Sequence, residues 1–171
     1  MTKFLKFFLF LPIVVCAQTK KNDWKTLAKA NYSIQYPSAW ELNESGQGGS
    51  SFILFSALEP GQDKFRENVN LLIQDLTGQN IDINKYTEIS ESQIKTKATN
   101  GKLIESKRIK TGKEYHKIIY TADQGTLHLK FEMYYWVIAN KAYLLTFTSE
   151  QTKFESFKAT GEKILNSFKL K

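Results

Sequence analysis

The segment that decides the fold is residues 126–148, which read TLHLKFEMYYWVIANKAYLLTFT. Every second residue of 127–137 is apolar, and this spacing of two places those side chains on one face of a β-strand. The opposite face begins polar and turns apolar at Tyr134 and Trp136. Residues 139–141 form a tight return into a second apolar run. The segment therefore predicts an antiparallel hairpin whose first strand is covered on both faces over its second half.

The sequence on the N-terminal side of this hairpin continues the strand pattern. Short turns at 111–113 and 123–125 separate two further strands, and more apolar runs precede them. A series of hairpins predicts an antiparallel sheet, because parallel neighbours need crossover connections of a dozen or more residues. The predicted strands cover residues 32–36, 51–58, 68–76, 102–110, 114–122, 126–138 and 143–148.

Two segments have helical rather than strand spacing. Residues 82–100 carry apolar side chains at loosely helical intervals, and residues 152–168 carry them at intervals of three and four. Thr152 and Glu155 match a capping box at the start of the second helix. Gly161 lies within its apolar stripe, where glycine weakens a helix by about 1 kcal/mol relative to alanine. We therefore expect the helix backbone to approach the sheet closely at Gly161.

The first residues have the features of an export signal. Two lysines precede a nine-residue apolar run at 7–15, which is shorter than the roughly 20 residues that span a membrane. Small residues follow, and cleavage is expected after Ala17. We therefore predict a signal peptide at 1–17 and, at 18–171, a single domain that begins with a short polar tether.

Cys16, the only cysteine of the chain, permits a competing interpretation. Bacterial lipoproteins are cut before a cysteine that then receives lipid, and both routes share the export signal. The residue before that cysteine is normally small, and Val15 fits poorly, so we favour simple cleavage over a lipid anchor. The prediction is an exported protein, periplasmic or secreted, with no transmembrane segment in the mature chain.

The composition indicates a globular domain and offers few groups for chemistry. The chain has 171 residues, of which 42% are hydrophobic and 24% charged, with a net charge of +7. The two histidines, His116 and His128, lie on predicted strands, and no acidic ligand cluster is close to them in the sequence. We interpret both as exposed strand residues rather than as a metal pair. The sequence thus predicts no catalytic residue, no metal site and no cofactor.

Two groups of side chains are candidates for an interaction surface. A basic cluster around one hairpin fits anionic lipid, polysaccharide or an acidic protein surface. The simpler interpretation, which we prefer, is a solvated hairpin whose lysines protect a sheet edge. Nucleic acid is not an expected partner of an exported protein with few aromatic residues in this cluster. The aromatic pair either packs beneath a helix, as we expect, or lines an exposed groove. The basic cluster is Lys107, Arg108, Lys110, Lys113 and Lys117, and the aromatic pair is Tyr134 and Trp136.

The order of these segments resembles the PsbP-like superfamily. YSIQYPSAW at 32–40 resembles the opening of that family, in which an aromatic strand runs into proline and tryptophan. The helix that contains Tyr86, the strand at 115–120, KAYLLTF at 141–147 and ILNSF at 164–168 agree with the later segments. The chain is most similar to a small bacterial envelope branch that includes DcrB-type proteins.

This resemblance implies an α+β fold: an α/β/α sandwich with a central antiparallel sheet of about six or seven strands flanked by helices. Plant members are lumenal accessory subunits of photosystem II, other relatives are binding modules, and exported bacterial members mostly have no defined activity. A shared fold does not imply a shared function. The expected function is an exported, non-catalytic module that binds another envelope protein. The alternative is a small-molecule or lipid-binding protein with a pocket between the sheet and the 82–100 helix.

Overall fold

The computed structural model describes residues 23–59, 61 and 65–171, so the predicted signal peptide and Cys16 lie outside the described residues. The described part contains ten strands, two α-helices and one 3-10 turn at Gln47–Gly49. The elements are β1 (Trp24–Ala28), β2 (Tyr32–Pro37), β3 (Glu41–Asn43), β4 (Ser50–Phe55), β5 (Asn68–Asp75), α1 (Ile83–Thr96), β6 (Lys102–Ile109), β7 (Tyr115–Gln124), β8 (Leu127–Ile138), β9 (Lys141–Glu150), α2 (Phe154–Asn166) and β10 (Lys169–Leu170).

Seven strands form one antiparallel sheet in the order β3-β4-β5-β9-β8-β7-β6. The hairpin predicted from residues 126–148 is confirmed as β8 and β9, which lie at the middle of the sheet. Because both of its strands have hydrogen-bonded neighbours on each side, their faces rather than their edges remain to be covered. The predicted antiparallel sheet of six or seven strands is confirmed.

The helix α2 and a small second sheet cover one face of the large sheet. The second sheet has the order β1-β2-β10, and both of its pairs are antiparallel. The apolar stripe of α2 is buried at Phe154, Ile164 and Leu165, against β9, β5 and β2. Ile34 of β2 is fully buried in the same core. The second predicted helix thus seals this face as expected.

The helix α1 lies on the opposite face, over β6, β7 and β8. Asp82 caps its first turn by accepting a hydrogen bond of 2.7 Å from the backbone N–H of Lys85. Tyr86 and Ile94 of the helix pack on a core that includes Met133 of β8. With one helix on each face, the predicted α/β/α layering is confirmed.

The structure differs from the sequence prediction at the margins of the fold. The strands β1, β3 and β10 are additional, and the last two have only three and two residues, too few to display a period of two. The predicted capping box is wrong, since α2 begins at Phe154 and its N-cap residue, Lys153, makes no capping hydrogen bond through its side chain. Glu155 instead accepts a hydrogen bond of 3.2 Å from Lys130 of β8.

Candidate functional site

An aromatic cavity of about 370 Å³ lies where the C-terminal end of α2 meets β7 and β8. It forms because α2 packs mainly over β9 and leaves the ends of β7 and β8 less covered. The residues around it are Thr111, Lys113, Tyr115, Tyr134, Trp136, Leu165, Asn166, Phe168, Lys169 and Leu170.

Four aromatic rings form a continuous wall of this cavity. The ring centroid of Tyr115 is 4.9 Å from that of Tyr134 and 5.4 Å from that of Trp136, and Trp136 is 5.1 Å from Phe168. Tyr134 and Trp136 are only 5% and 6% exposed, in agreement with the prediction that they pack beneath a helix. They are therefore core residues with one side turned to the cavity, and they do not form an exposed aromatic patch.

The rim of the aromatic cavity is cationic. Lys113 and Lys169 line it, and no acidic side chain is among its lining residues in the described part of the chain. The Lys113 ammonium donates a hydrogen bond of 3.0 Å to the carbonyl oxygen of Leu170, which ties the 111–113 turn to β10. Apolar walls beneath cationic groups suit an apolar or aromatic group that carries negative charge nearby.

A buried ion pair lies on the same face of the sheet as these rings. Glu132 of β8 is fully buried, and its Oε1 accepts hydrogen bonds from Lys117 at 2.8 Å and from the Tyr134 hydroxyl at 3.2 Å. Burial disfavours the charged form of Lys117, but the carboxylate of Glu132 outweighs it and raises the pKa of Lys117. Burial, together with the charge of Glu132, raises the pKa of Tyr134. Lys117 is therefore bound to an interior partner.

The structure separates the other members of the basic cluster. Lys107 and Lys110 are exposed. Arg108 lies on the α1 face, where it donates a hydrogen bond of 2.9 Å to Asn84 and pairs with Glu114 at 3.4 Å. Of the five predicted cations, the structure thus brings Lys113 alone to the aromatic cavity with Tyr134 and Trp136.

Sequence reasoning missed Tyr115, Phe168 and Lys169 as residues of this cavity. Tyr115 could have been predicted from the sequence, because it lies two residues before Lys117 on a strand and so shares a face with it. Phe168 and Lys169 reach β7 and β8 through the packing of α2, which local sequence patterns do not specify.

His116, predicted to be exposed, is buried beneath α1 and is 6% exposed. Its Nδ1 accepts a hydrogen bond of 3.2 Å from Arg108, so its Nε2 is the nitrogen that donates to the Ser106 hydroxyl, 2.7 Å away. The Ser106 hydroxyl in turn donates to Glu91 of α1 at 2.5 Å. The serine proton is directed at a carboxylate rather than at the histidine, so the cluster lacks the serine-to-histidine hydrogen bond of a hydrolase triad. The hydrogen bond between Ser106 of β6 and Glu91 connects α1 to the sheet.

The buried histidine predicts a loss of stability in mild acid. Burial, and then the nearby Arg108, lowers the pKa of His116 from its ordinary value of 6.5. As the pH falls below that value, the unfolded chain takes up a proton that the folded protein resists, so the free energy of unfolding decreases. Urea denaturation at pH 7.5 and 5.5 measures this decrease. The decrease should be smaller in His116→Gln and unchanged in the control His128→Gln, which alters an exposed histidine. Equal decreases in both variants would contradict the assignment.

Two further cavities lie on the α1 face of the large sheet. One, of about 410 Å³, lies between α1 and the sheet and is bordered by Tyr86, Ile94, Met133 and Leu144. It occupies the place expected for the alternative ligand pocket. The other, of about 460 Å³, lies beside it over the half of the sheet that α1 does not cover.

Two features are absent from the described residues. Across 23–59, 61 and 65–171, no three His, Cys, Asp or Glu side chains gather closely enough to hold a metal ion. Within the same ranges, no helix has the length and apolar character needed to cross a membrane.

Comparisons with known proteins agree with this architecture. No curated protein matches the sequence significantly. Among solved structures, the chain is similar to the cyanobacterial PsbP protein CyanoP from Synechocystis sp. PCC 6803, with a TM-score of 0.62, 12% identity, and coverage of 94% of this chain and 99% of that chain. It is also similar to LpqN, a protein involved in cell envelope biogenesis of Mycobacterium tuberculosis, with a TM-score of 0.66, 11% identity, and coverage of 87% and 92%.

Identities this low show a shared fold and nothing more. The stronger finding is at the level of sequence, where the family model described as PsbP matches residues 25–170. That range includes both helices and all strands of the two sheets, apart from the first residue of β1. The chain therefore belongs to the PsbP family.

Proposed function

We propose that this protein is an exported, non-catalytic binding module that docks on another protein of the cell envelope through the aromatic cavity. The observation that carries the proposal is the meeting of packed aromatic rings and two lysines, without an acid among the described lining residues, in one cavity. Aromatic side chains in well-packed pockets are the residues that dominate binding energy at protein interfaces.

The chemistry of the cavity indicates the kind of partner. Its volume falls within the roughly 300–1,000 Å³ of ordinary ligand sites, so it accepts an apolar or aromatic side chain. Lys113 and Lys169 favour a partner segment with acidic residues beside that anchor. The partner we expect is therefore an envelope protein with an acidic, aromatic-containing surface segment.

Two observations support placing the protein in the envelope and outside catalysis. LpqN, which shares this fold, is involved in cell envelope biogenesis in its own organism. In this chain, in the one serine–histidine contact that we describe, the Ser106 hydroxyl donates its proton to Glu91 and accepts from His116. The histidine is therefore not placed to activate this serine for nucleophilic attack. Export through the leader at 1–17 and membership of the DcrB-type branch remain predictions.

A second candidate function is supported by the cavity between α1 and the sheet. Its apolar border, Ile94, Met133 and Leu144, fits a small apolar molecule or an acyl chain, and Lys97 at the border fits an acidic head group. This is the alternative of a small-molecule or lipid-binding protein with its pocket beneath the 82–100 helix.

Reversing the charge of the cavity rim tests the leading proposal. We expect tagged wild-type protein to retain a stable protein companion from a solubilised envelope fraction, and Lys113→Glu/Lys169→Glu to reduce its recovery at least about tenfold, equivalent to about 1.4 kcal/mol. The control Lys25→Glu/Lys102→Glu makes the same change of net charge at two exposed positions away from the cavity. A companion recovered equally by both variants would contradict the proposal. A co-purifying small molecule without a companion would favour the second candidate.

A further inference from the structure

The half of the sheet face that α1 leaves uncovered forms a groove of about 460 Å³. We call it the open-face groove. Its floor is made by β5 and β9, and its sides are made by β4 and β8. It lies on the opposite face of the sheet from the aromatic cavity, so a ligand in the groove would not occupy the site proposed above.

The strand register places a square of four neutral polar side chains on the floor of this groove. Asn68 lies opposite Thr148 and Asn70 lies opposite Thr146, on adjacent strands with alternate residues facing the same way. Directly opposed side chains of this kind are about 5 Å apart. The floor therefore presents two amides and two hydroxyls, close enough together to contact one small polar ligand.

Most of these groups keep free hydrogen-bonding capacity. Among the described residues, the side chains of Asn70, Thr146 and Thr148 have no hydrogen bond within the protein, and Asn68 uses its amide nitrogen to donate to the carbonyl oxygen of Arg66 at 3.1 Å. Amides and hydroxyls offer both donors and acceptors. The floor thus matches a ligand that also carries both.

The sides of the groove are apolar. Phe131 of β8 lies opposite Thr148 in register, and its ring stacks on Tyr120, with centroids 4.5 Å apart and planes at 9°. Ile53 of β4 lies opposite Asn70 on the other side. Three strand spacings, roughly 14 Å, separate β4 from β8, which leaves room between the side chains for one ring-sized group.

The described lining of the groove carries no charged side chain, although the net charge of the chain is +7. The nearby Arg66, whose guanidinium lies 4.9 Å from the ring centroid of Phe55, is paired with Glu41 at 2.8 Å. An anionic ligand would find no free cation on this lining.

We infer that the open-face groove binds a neutral saccharide. Amides and hydroxyls on the floor would bond the sugar hydroxyls, and the flat face of the Phe131 ring would pack on the C–H face of a pyranose. A peptide strand is a poorer fit, because the backbones of β5 and β9 are already paired on both sides and only side chains are on offer.

Chemical-shift titration of the 15N-labelled protein with maltotriose, cellotriose and chitotriose tests this inference. We expect at least one of the three sugars to shift amide signals of β5 and β9. The double variant Asn70→Leu/Thr146→Val, which removes hydrogen-bonding groups at nearly constant volume, should weaken that binding at least about tenfold. Thr146→Val alone, the milder change, should weaken it in the same direction and guards against a folding defect in the double variant.

The matched control is Asn166→Leu/Thr111→Val, which makes the same two chemical changes at the aromatic cavity. It should bind the sugar like the wild type. The inference is overturned if none of the three sugars shifts any signal at about 10 mM, ten times a Kd of 1 mM. It is equally overturned if both Asn70→Leu/Thr146→Val and Thr146→Val bind as tightly as the wild type.

Discussion

Replacement of Lys117 by methionine is expected to lower the free energy of unfolding by about 3–5 kcal/mol, the usual effect of removing one partner from a buried ion pair. The variant leaves the carboxylate of Glu132 fully buried, and within the described part of the chain the Tyr134 hydroxyl is then its one remaining hydrogen-bond donor. The Oε2 atom of Glu132 already has no hydrogen-bond partner among the described residues, so losing the ammonium reduces the donors to this carboxylate from two to one. Urea denaturation at pH 7 measures the change.

The double variant Lys117→Met/Glu132→Gln is the matched control for this prediction. It removes both charges and keeps an amide oxygen that can accept the hydrogen bond from Tyr134, so most of the lost stability should return. Lys117→Met as stable as the wild type, or a double variant as unstable as the single one, would show that the pair is not buried as described. Either outcome would indicate that Lys117 is a surface cation.

The second large effect is expected at Gly161, where α2 touches the sheet. A Cβ atom added there would lie 2.6 to 2.8 Å from three ring atoms of Phe147, and Phe147 is fully buried in β9. Gly161→Leu should therefore destabilise the protein by about 3 kcal/mol, the upper end of the usual cost of overpacking. This loss outweighs the gain of about 1 kcal/mol in helix propensity from replacing glycine.

Comparing the thermal unfolding of Gly161→Leu with that of Ala159→Leu isolates the effect of the contact between Gly161 and Phe147. Ala159 is an exposed residue of the same helix, so its replacement by leucine tests the effect of a larger side chain without the clash. The melting temperature should fall in the first variant and stay near the wild-type value in the second. An unchanged or raised melting temperature in Gly161→Leu would refute the close packing of α2 on β9.

The parts of the fold that could be predicted are those with strong local signals. Residues 126–148 predict β8 and β9 because the period of two extends through both strands and the return is short. Gly161 predicts a close approach because glycine in an apolar stripe has a cost that packing must offset. β3 and β10 have too few residues for a period, and their pairing depends on where distant strands lie.

The candidate site could be predicted only in part. Tyr134 and Trp136 were found because they interrupt a polar face with apolar residues. Lys107 and Arg108 were grouped by proximity in sequence, although adjacent residues of a strand point to opposite faces, and the structure separates them accordingly. Phe168 and Lys169 reach the aromatic cavity because the end of α2 packs there, and the spacing of residues in the sequence does not predict this tertiary contact.

The open-face groove was not predicted for a related reason. Asn68, Asn70, Thr146 and Thr148 look like ordinary polar positions of half-exposed strands when each strand is considered alone. Their significance depends on the register between β5 and β9, which is a non-local property. It also depends on α1 covering only part of that face.

The most direct test of the central claim is photo-crosslinking in intact cells from a benzoylphenylalanine placed at Thr111, on the rim of the aromatic cavity. We predict an adduct with an envelope protein that is strongly reduced when Lys169→Glu is added and is absent when the crosslinker replaces Lys102, on the edge strand β6. No protein adduct from Thr111, or the same adduct from both positions, would contradict the claim that the aromatic cavity is where this protein binds its partner.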